Sequence, residues 1–266
     1  MGIFQTIGKS CVQTIKFSRI ILIMFGYFLV FGLLMLPFAG EDATAGLGET
    51  NPIGILISII GMFVLVFIQG GALSAVRDFI KTGSFKMSDL IENGKKYYTR
   101  LLSYVGLILG ATIVIMVIIA VIIAGILAVS NNIFTQVIVG ALLTAAAITA
   151  MIFFLYPIYI IVAEDTGPIA ALKKGLEISK NNFWQTLLLM LILFIGLFLA
   201  SFLIGFLLIG ISAFLPNIVG RIITIIISSV LQSAFTMLIM VVIMNYYLSL
   251  TTGAGKQEPQ APTTAS

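Results

Sequence analysis

Histidine is absent, cysteine occurs once, and only 9% of the 266 residues are charged. Each scarcity closes off a class of function. A globular domain carries about 25% charged residues, so a soluble fold of this length has no means of covering its surface. The single Cys11 excludes an intrachain disulfide and a multi-cysteine metal site. Metal centres need clustered His, Cys or carboxylates, and the acids here are scattered, so no metal and no cofactor is expected. Hydrolase and phosphate-loop motifs are missing as well. Acid–base chemistry needs a titratable group within reach of the reacting atoms, and the chain is read as a non-enzyme.

What the chain does have is apolar length. Charge-free runs cover Ile20–Gly40, Thr50–Val76, Leu101–Ala163, Asn181–Gly220 and Ile222–Gly255. A membrane span needs about 20 apolar residues. Leu101–Ala163 is therefore two spans divided at Ser130-Asn131-Asn132, and Leu215-Pro216-Asn217 divides the last two. The expected fold is all-α, a six-helix integral membrane bundle. Its spans lie near 20–38, 53–76, 100–129, 133–162, 183–214 and 218–248, within one membrane domain over 1–251. The tail, 252–266, is poor in apolar residues and expected to be disordered.

The basic residues alternate with these spans. Lys9, Lys16 and Arg19 precede the first; Arg77, Lys81, Lys86, Lys95, Lys96 and Arg100 lie between the second and third. Lys173, Lys174 and Lys180 lie between the fourth and fifth, and Lys256 is in the tail. Only Arg221 falls on the other side, where it is expected to snorkel, and the loop over 39–52 carries acids alone. Basic residues near span ends stay cytoplasmic. Both termini are therefore expected inside, in a multi-pass protein of the cell membrane. The net charge of +4 fits this topology and attraction to anionic lipid; no basic face on a soluble domain exists to bind nucleic acid. The first apolar run exceeds the roughly 7–15 residues of a signal-peptide core, so it is read as a retained span. The opening Met1-Gly2-Ile3-Phe4-Gln5-Thr6 fits a myristoylation pattern, and Cys11 is a formal palmitoylation candidate. Six spans gain little from an anchor, and Cys11 is read as a small buried hydrophobe.

The three basic segments resemble one another. Thr82-Gly83 recurs as Thr166-Gly167, and Lys95-Lys96-Tyr97-Tyr98 finds its counterpart in Lys180 through Phe183-Trp184. Residues 3–15 form a looser third copy, with Ile3, Phe4, Ile7, Cys11 and Ile15 on one helical face. The reading is three tandem helical hairpins, spans paired one with two, three with four and five with six, each preceded by an amphipathic elbow helix. In the third elbow Asp165 or Thr166 is placed to cap, and Pro168 suits a first helical turn. Ile169, Leu172 and Leu176 share a face, which should lie in the headgroup plane. The elbows either orient the following span or dock anionic lipid or a protein partner. For the second role the candidates are Lys95, Lys96, Arg100, Lys173, Lys174, Lys180 and Trp184.

The stretch from Ala163-Glu164-Asp165-Thr166-Gly167 through Ala171-Leu172-Lys173-Lys174-Gly175-Leu176 to Asn182-Phe183-Trp184 resembles the inner loop of a group of prokaryotic six-span proteins. Asp89-Leu90-Ile91 and Gly94-Lys95-Lys96-Tyr97-Tyr98 are similar to that group too. It includes the membrane domain fused to some glycerophosphodiester phosphodiesterases. Gly175-Leu176 stands where Ser-Trp is common. Without histidine or a soluble segment to hold the enzymatic half, the resemblance implies fold and membrane location rather than catalysis.

No Asp, Glu, Lys or Arg falls at expected mid-membrane depth, which counts against a proton-coupled carrier. Polar residues within the spans include Gln69, beside Gly70-Gly71 and followed by Ser74, and the stripe around Ser228, Ser229, Gln232, Ser233 and Thr236. They are read as interhelical contacts or, in a permease or exporter of an apolar substrate, as the lining of a cavity. Gly106/Gly110, Ala120/Ala124/Ala128, Gly140/Thr144 and Gly196/Ala200 are read as close-packing positions. Pro157 should kink the fourth span. Tyr97, Tyr98, Tyr156, Tyr159, Phe183, Trp184, Tyr246 and Tyr247 should form an aromatic belt at headgroup level. The expected role is a non-enzymatic membrane accessory or scaffold that contacts lipids or a protein partner through its basic elbows.

Overall fold

A computed structural model describes residues 2–38, 51–129, 132–212 and 217–251. The tail, the acidic loop and the two short turns after Val129 and Ser212 lie outside the described residues. All regular structure described is helical: α1 (Ile3–Ile15), α2 (Ser18–Met35) with a 3-10 turn after it, α3 (Pro52–Thr82), α4 (Asp89–Val129), α5 (Ile133–Phe153), α6 (Pro157–Ala163), α7 (Pro168–Asn181), α8 (Phe183–Ser212) and α9 (Asn217–Thr251). Six stretches are long and apolar enough to cross a membrane: Ser18–Phe38, Pro52–Thr82, Asp89–Ile126, Ile133–Ala163, Phe183–Phe206 and Ile218–Thr251. The chain is a multi-pass membrane protein.

The ends of these helices follow local chemistry. Asn51 caps α3, its side-chain oxygen accepting from the Ile53 amide at 2.9 Å, with Pro52 in the first turn. Gly83 ends the same helix in the left-handed conformation, φ 78°, where an L side chain is disfavoured. Asn132 caps α5 through the Thr135 amide. Pro157 breaks the fourth span into α5 and α6, as expected of a residue with no amide proton to give. The second elbow is not a separate helix. Asp89–Lys95 runs straight into the third span as the first turns of α4. Gly94 makes a close contact: a Cβ built there would lie 3.1 Å from the Phe67 ring.

The helices group into two compact units. One comprises Met1–Leu65, Ala75–Phe85 and Leu189–Ser266; the other comprises Val66–Ser74 and Lys86–Leu188. In the first, α2 and α1 both pack on α9. Phe17, Ile20, Met24, Met237, Val241, Met244 and Tyr247 are fully buried. A Cβ on Gly32 would lie 2.7 Å from Ile225 Cγ2, and the Tyr27 hydroxyl donates to the Gly61 carbonyl at 2.9 Å, tying α2 to α3. The described packing of α9 is thus with the first span and the first elbow, where a pairing with the fifth span was expected.

In the second unit, Gly70 and Gly71 of α3 lie against Leu90, Tyr97 and Leu101 of α4. α4 packs on α6 and α7, and α6 packs on α7. The glycines expected to pack by spacing do not. A Cβ at Gly106, Gly110, Gly140 or Gly196 would meet no described atom within 4 Å. Four-residue spacing places small residues on one face without saying whether a neighbour covers that face.

Candidate functional site

The charged ends of the second unit are built around one short loop. Lys96, Arg100 and Tyr104 fall on successive turns of α4 and share a face. Lys96 Nζ donates to Asp165 Oδ2 at 2.8 Å. Arg100 donates to Asp165 Oδ1 at 2.5 Å and to its backbone carbonyl at 2.9 Å. Asp165 has φ 57°, a left-handed conformation that Asp tolerates better than most residues. Lys174 of α7 holds Glu164 through both carboxylate oxygens, at 2.6 and 2.7 Å. Neither Asp165 nor Thr166, the residues expected to cap α7, does so; its N-cap is Gly167, which has no side chain to offer. Two cations on α4, Lys96 and Arg100, hold the Asp165 carboxylate instead.

The Lys96 hydrogen bond, then that from Arg100, hold the Asp165 carboxyl below the usual carboxylate range. A depressed folded value means this clamp contributes fully above the ordinary Asp pKa of about 3.9 and is lost only as pH falls through the lower folded value. Because Asp165 and Lys96 are each about half exposed, at 47%, the pair is a positioning device of modest energy.

Below the clamp, side chains bond to carbonyls at the break before Pro157. The Tyr104 hydroxyl donates to Phe154 O at 2.7 Å and the Ser179 hydroxyl to Ile152 O at 3.0 Å. The hydroxyls of Tyr156 and Thr186 are 2.6 Å apart, both buried. Ala171, Gly175 and Ser179 form the buried face of α7, and a Cβ on Gly175 would lie 2.6 Å from Pro157 Cγ. Ile169 and Leu176 point away, 62% and 38% exposed.

The expected contact residues therefore divide. Lys96, Arg100 and Lys174 are held in ion pairs within the unit. Lys95, Lys173 and Lys180 are exposed, with no ion pair to a described residue, and Trp184 is 76% exposed. The aromatic belt is largely a core: Tyr97, Tyr156, Tyr159, Tyr246 and Tyr247 are buried, leaving Trp184 outside and Tyr98 and Phe183 half-buried.

α1 is turned in a way that periodicity did not indicate. Its Thr6 and Ser10 are buried, while Phe4, Val12, Ile15 and Cys11 are exposed. Cys11 is thus not a buried hydrophobe. The cause is Asn245 of α9, whose amide donates to Ser10 Oγ at 3.0 Å, Gln13 Oε1 at 2.7 Å and Val241 O at 3.0 Å. Asn245 was missed in the sequence, although it is the lone amide in the apolar run Met237–Tyr247.

The polar residues of the spans differ in exposure and in partners. Ser229 and Ser233 are buried, but each hydroxyl bonds back to its own helix, at Ile225 O and Val230 O. Gln232 is exposed and Gln69 half-buried. Arg221 lies 3.5 Å from the Leu36 carbonyl. Among the described residues no three His, Cys, Asp or Glu come together as a metal-binding group.

A family model described as a domain of unknown function, DUF7847, matches residues 1–250. The chain belongs to this family. No curated protein and no solved structure matches it. The DUF7847 match covers both units described above, and so takes in the clamp, the α7 face and the Asn245 cluster together.

Proposed function

We propose that this DUF7847 chain is a membrane accessory protein without catalytic chemistry of its own, oriented with both termini in the cytoplasm of the cell that carries it. Its basic elbow α7 engages the anionic headgroups of the cytoplasmic leaflet. One observation carries the reading. Lys173 and Lys180 are exposed, with no ion pair to a described residue, beside the exposed apolar side chains Ile169 and Leu176, while Trp184 stands out at the next helix. An apolar face edged by lysines and an interfacial indole is the pattern of a helix lying in the headgroup plane. The opposite face, Ala171, Gly175 and Ser179, is committed to the protein, so the helix is presented to lipid at a set angle. The clamp at Asp165 supports the same reading, since it consumes Lys96 and Arg100 and leaves the lipid-facing charge to α7 and Lys95.

The likeness of the 163–184 loop to the membrane domain fused to glycerophosphodiester phosphodiesterases belongs to this proposal as well. It points to a module that serves a partner's activity at the membrane. The carrier alternative needs Gln69, Ser229, Gln232 and Ser233 around one cavity, and no observation favours it.

Native mass spectrometry of the protein from nanodiscs of equal phosphatidylglycerol and phosphatidylcholine tests the proposal. Wild type is expected to retain the anionic lipid preferentially. Lys173→Gln with Lys180→Gln is expected to reduce that retention at least about fivefold, at about 1 kcal/mol for each lysine near the surface. Equal retention of the two lipids by wild type would sink the idea.

A further inference from the structure

The amide of Gln232 finds no hydrogen-bond partner among the described residues. α9 carries no charged residue between Arg221 and Asn245, and Gln232 lies midway, roughly 16 Å along the axis from Arg221 at 1.5 Å per residue. That is half the hydrocarbon thickness of about 30 Å. Its side chain is exposed and makes no hydrogen bond to a described residue. Ser228, one turn away on the same stripe, is exposed as well. Lipid chains offer neither donor nor acceptor at this depth, so an unmet amide there is strongly disfavoured.

The geometry points to a second copy of this chain as the occupant: a parallel homodimer in which α9 packs on α9 and the Gln232 carboxamides hydrogen-bond to each other. Three features select a copy over another partner. A carboxamide is donor and acceptor at once, so two of them satisfy each other reciprocally. A second copy inserted the same way carries Gln232 at the same depth, which a twofold axis along the membrane normal brings face to face. Ser228 is small enough for the backbones to approach closely beside the pair. Ser229 and Ser233 take no part, because both hydroxyls are bound within α9.

Oxidative cross-linking in native membranes tests this. In a Cys11→Ser background, Ser228→Cys is expected to form a covalent dimer with copper phenanthroline, whereas Ile226→Cys, exposed on another face of α9, is not. Adding Gln232→Leu to Ser228→Cys should reduce the dimer at least about fivefold, while Gln232→Asn keeps most of it. Leucine suits a lipid-exposed position, so that variant folds, and wild-type thermal unfolding of the purified protein checks it. Equal cross-linking at both positions, a dimer indifferent to Gln232→Leu, a monomer, or cross-links of Ser228→Cys to a different protein would each overturn the proposal.

Discussion

Gly175 is the tightest residue-scale constraint at the candidate site. Helix propensity favours alanine over glycine there by about 1 kcal/mol, yet the Cβ would lie 2.6 Å from Pro157 Cγ, the edge of a rigid ring. Overpacking of that kind costs about 1–3 kcal/mol, so Gly175→Ala is expected to lower the thermal unfolding midpoint in detergent. Gly196→Ala, with no described atom near its Cβ, is the control and should be neutral or stabilising. A Gly175→Ala protein as stable as that control would mean the α6–α7 contact is loose. At this scale the sequence was legible in part. Pro157 announces a break because proline has no amide to donate. What the break does with its carbonyls was hidden, because Tyr104 and Ser179 reach Phe154 and Ile152 from helices distant in sequence. Asp165 was misread for the same reason: capping is a local rule, and Lys96 and Arg100 are not local.

At the scale of elements, apolar periodicity identified α1 and α7 as amphipathic but not which face meets the protein. In a soluble protein the apolar face turns inward. Here apolar side chains such as Phe4, Ile15 and Ile169 stay exposed, and small or polar residues meet the neighbouring helix. Thr6 and Ser10 of α1, and Ala171, Gly175 and Ser179 of α7, do so. For α1 the attachment depends on Asn245. Asn245→Leu leaves Ser10 and Gln13 without their partner, a loss of about 1–2 kcal/mol for hydrogen bonds of this kind. α1 should then detach more often, and trypsin should cut after Lys9 and Lys16 roughly five- to tenfold faster in the purified protein. Unchanged cleavage would show that α1 is held by α9's apolar side chains alone.

At the scale of the molecule, the count and length of the spans were readable because hydrocarbon thickness sets a length that few other environments demand. Which helices touch was not, because connectivity suggests neighbours while side-chain fit decides them: Gly32 under Ile225 and Ser10 under Asn245 bring the two ends of the chain together in one unit. Orientation rests on charge. All but one of the 14 Lys and Arg follow the positive-inside pattern, and Arg221, the exception, sits at the start of α9 beside the end of the first span. The chain carries its own reporter for this. Cys11 is the single cysteine, it is exposed, and it lies on the elbow preceding the first span. A membrane-impermeant maleimide should label it in inside-out vesicles and leave it untouched in sealed right-side-out vesicles until detergent is added. Labelling from the outside would place the N-terminal elbow, and with it the basic ends of the spans, on the opposite face, and would remove the cytoplasmic leaflet as the surface that Lys173 and Lys180 meet.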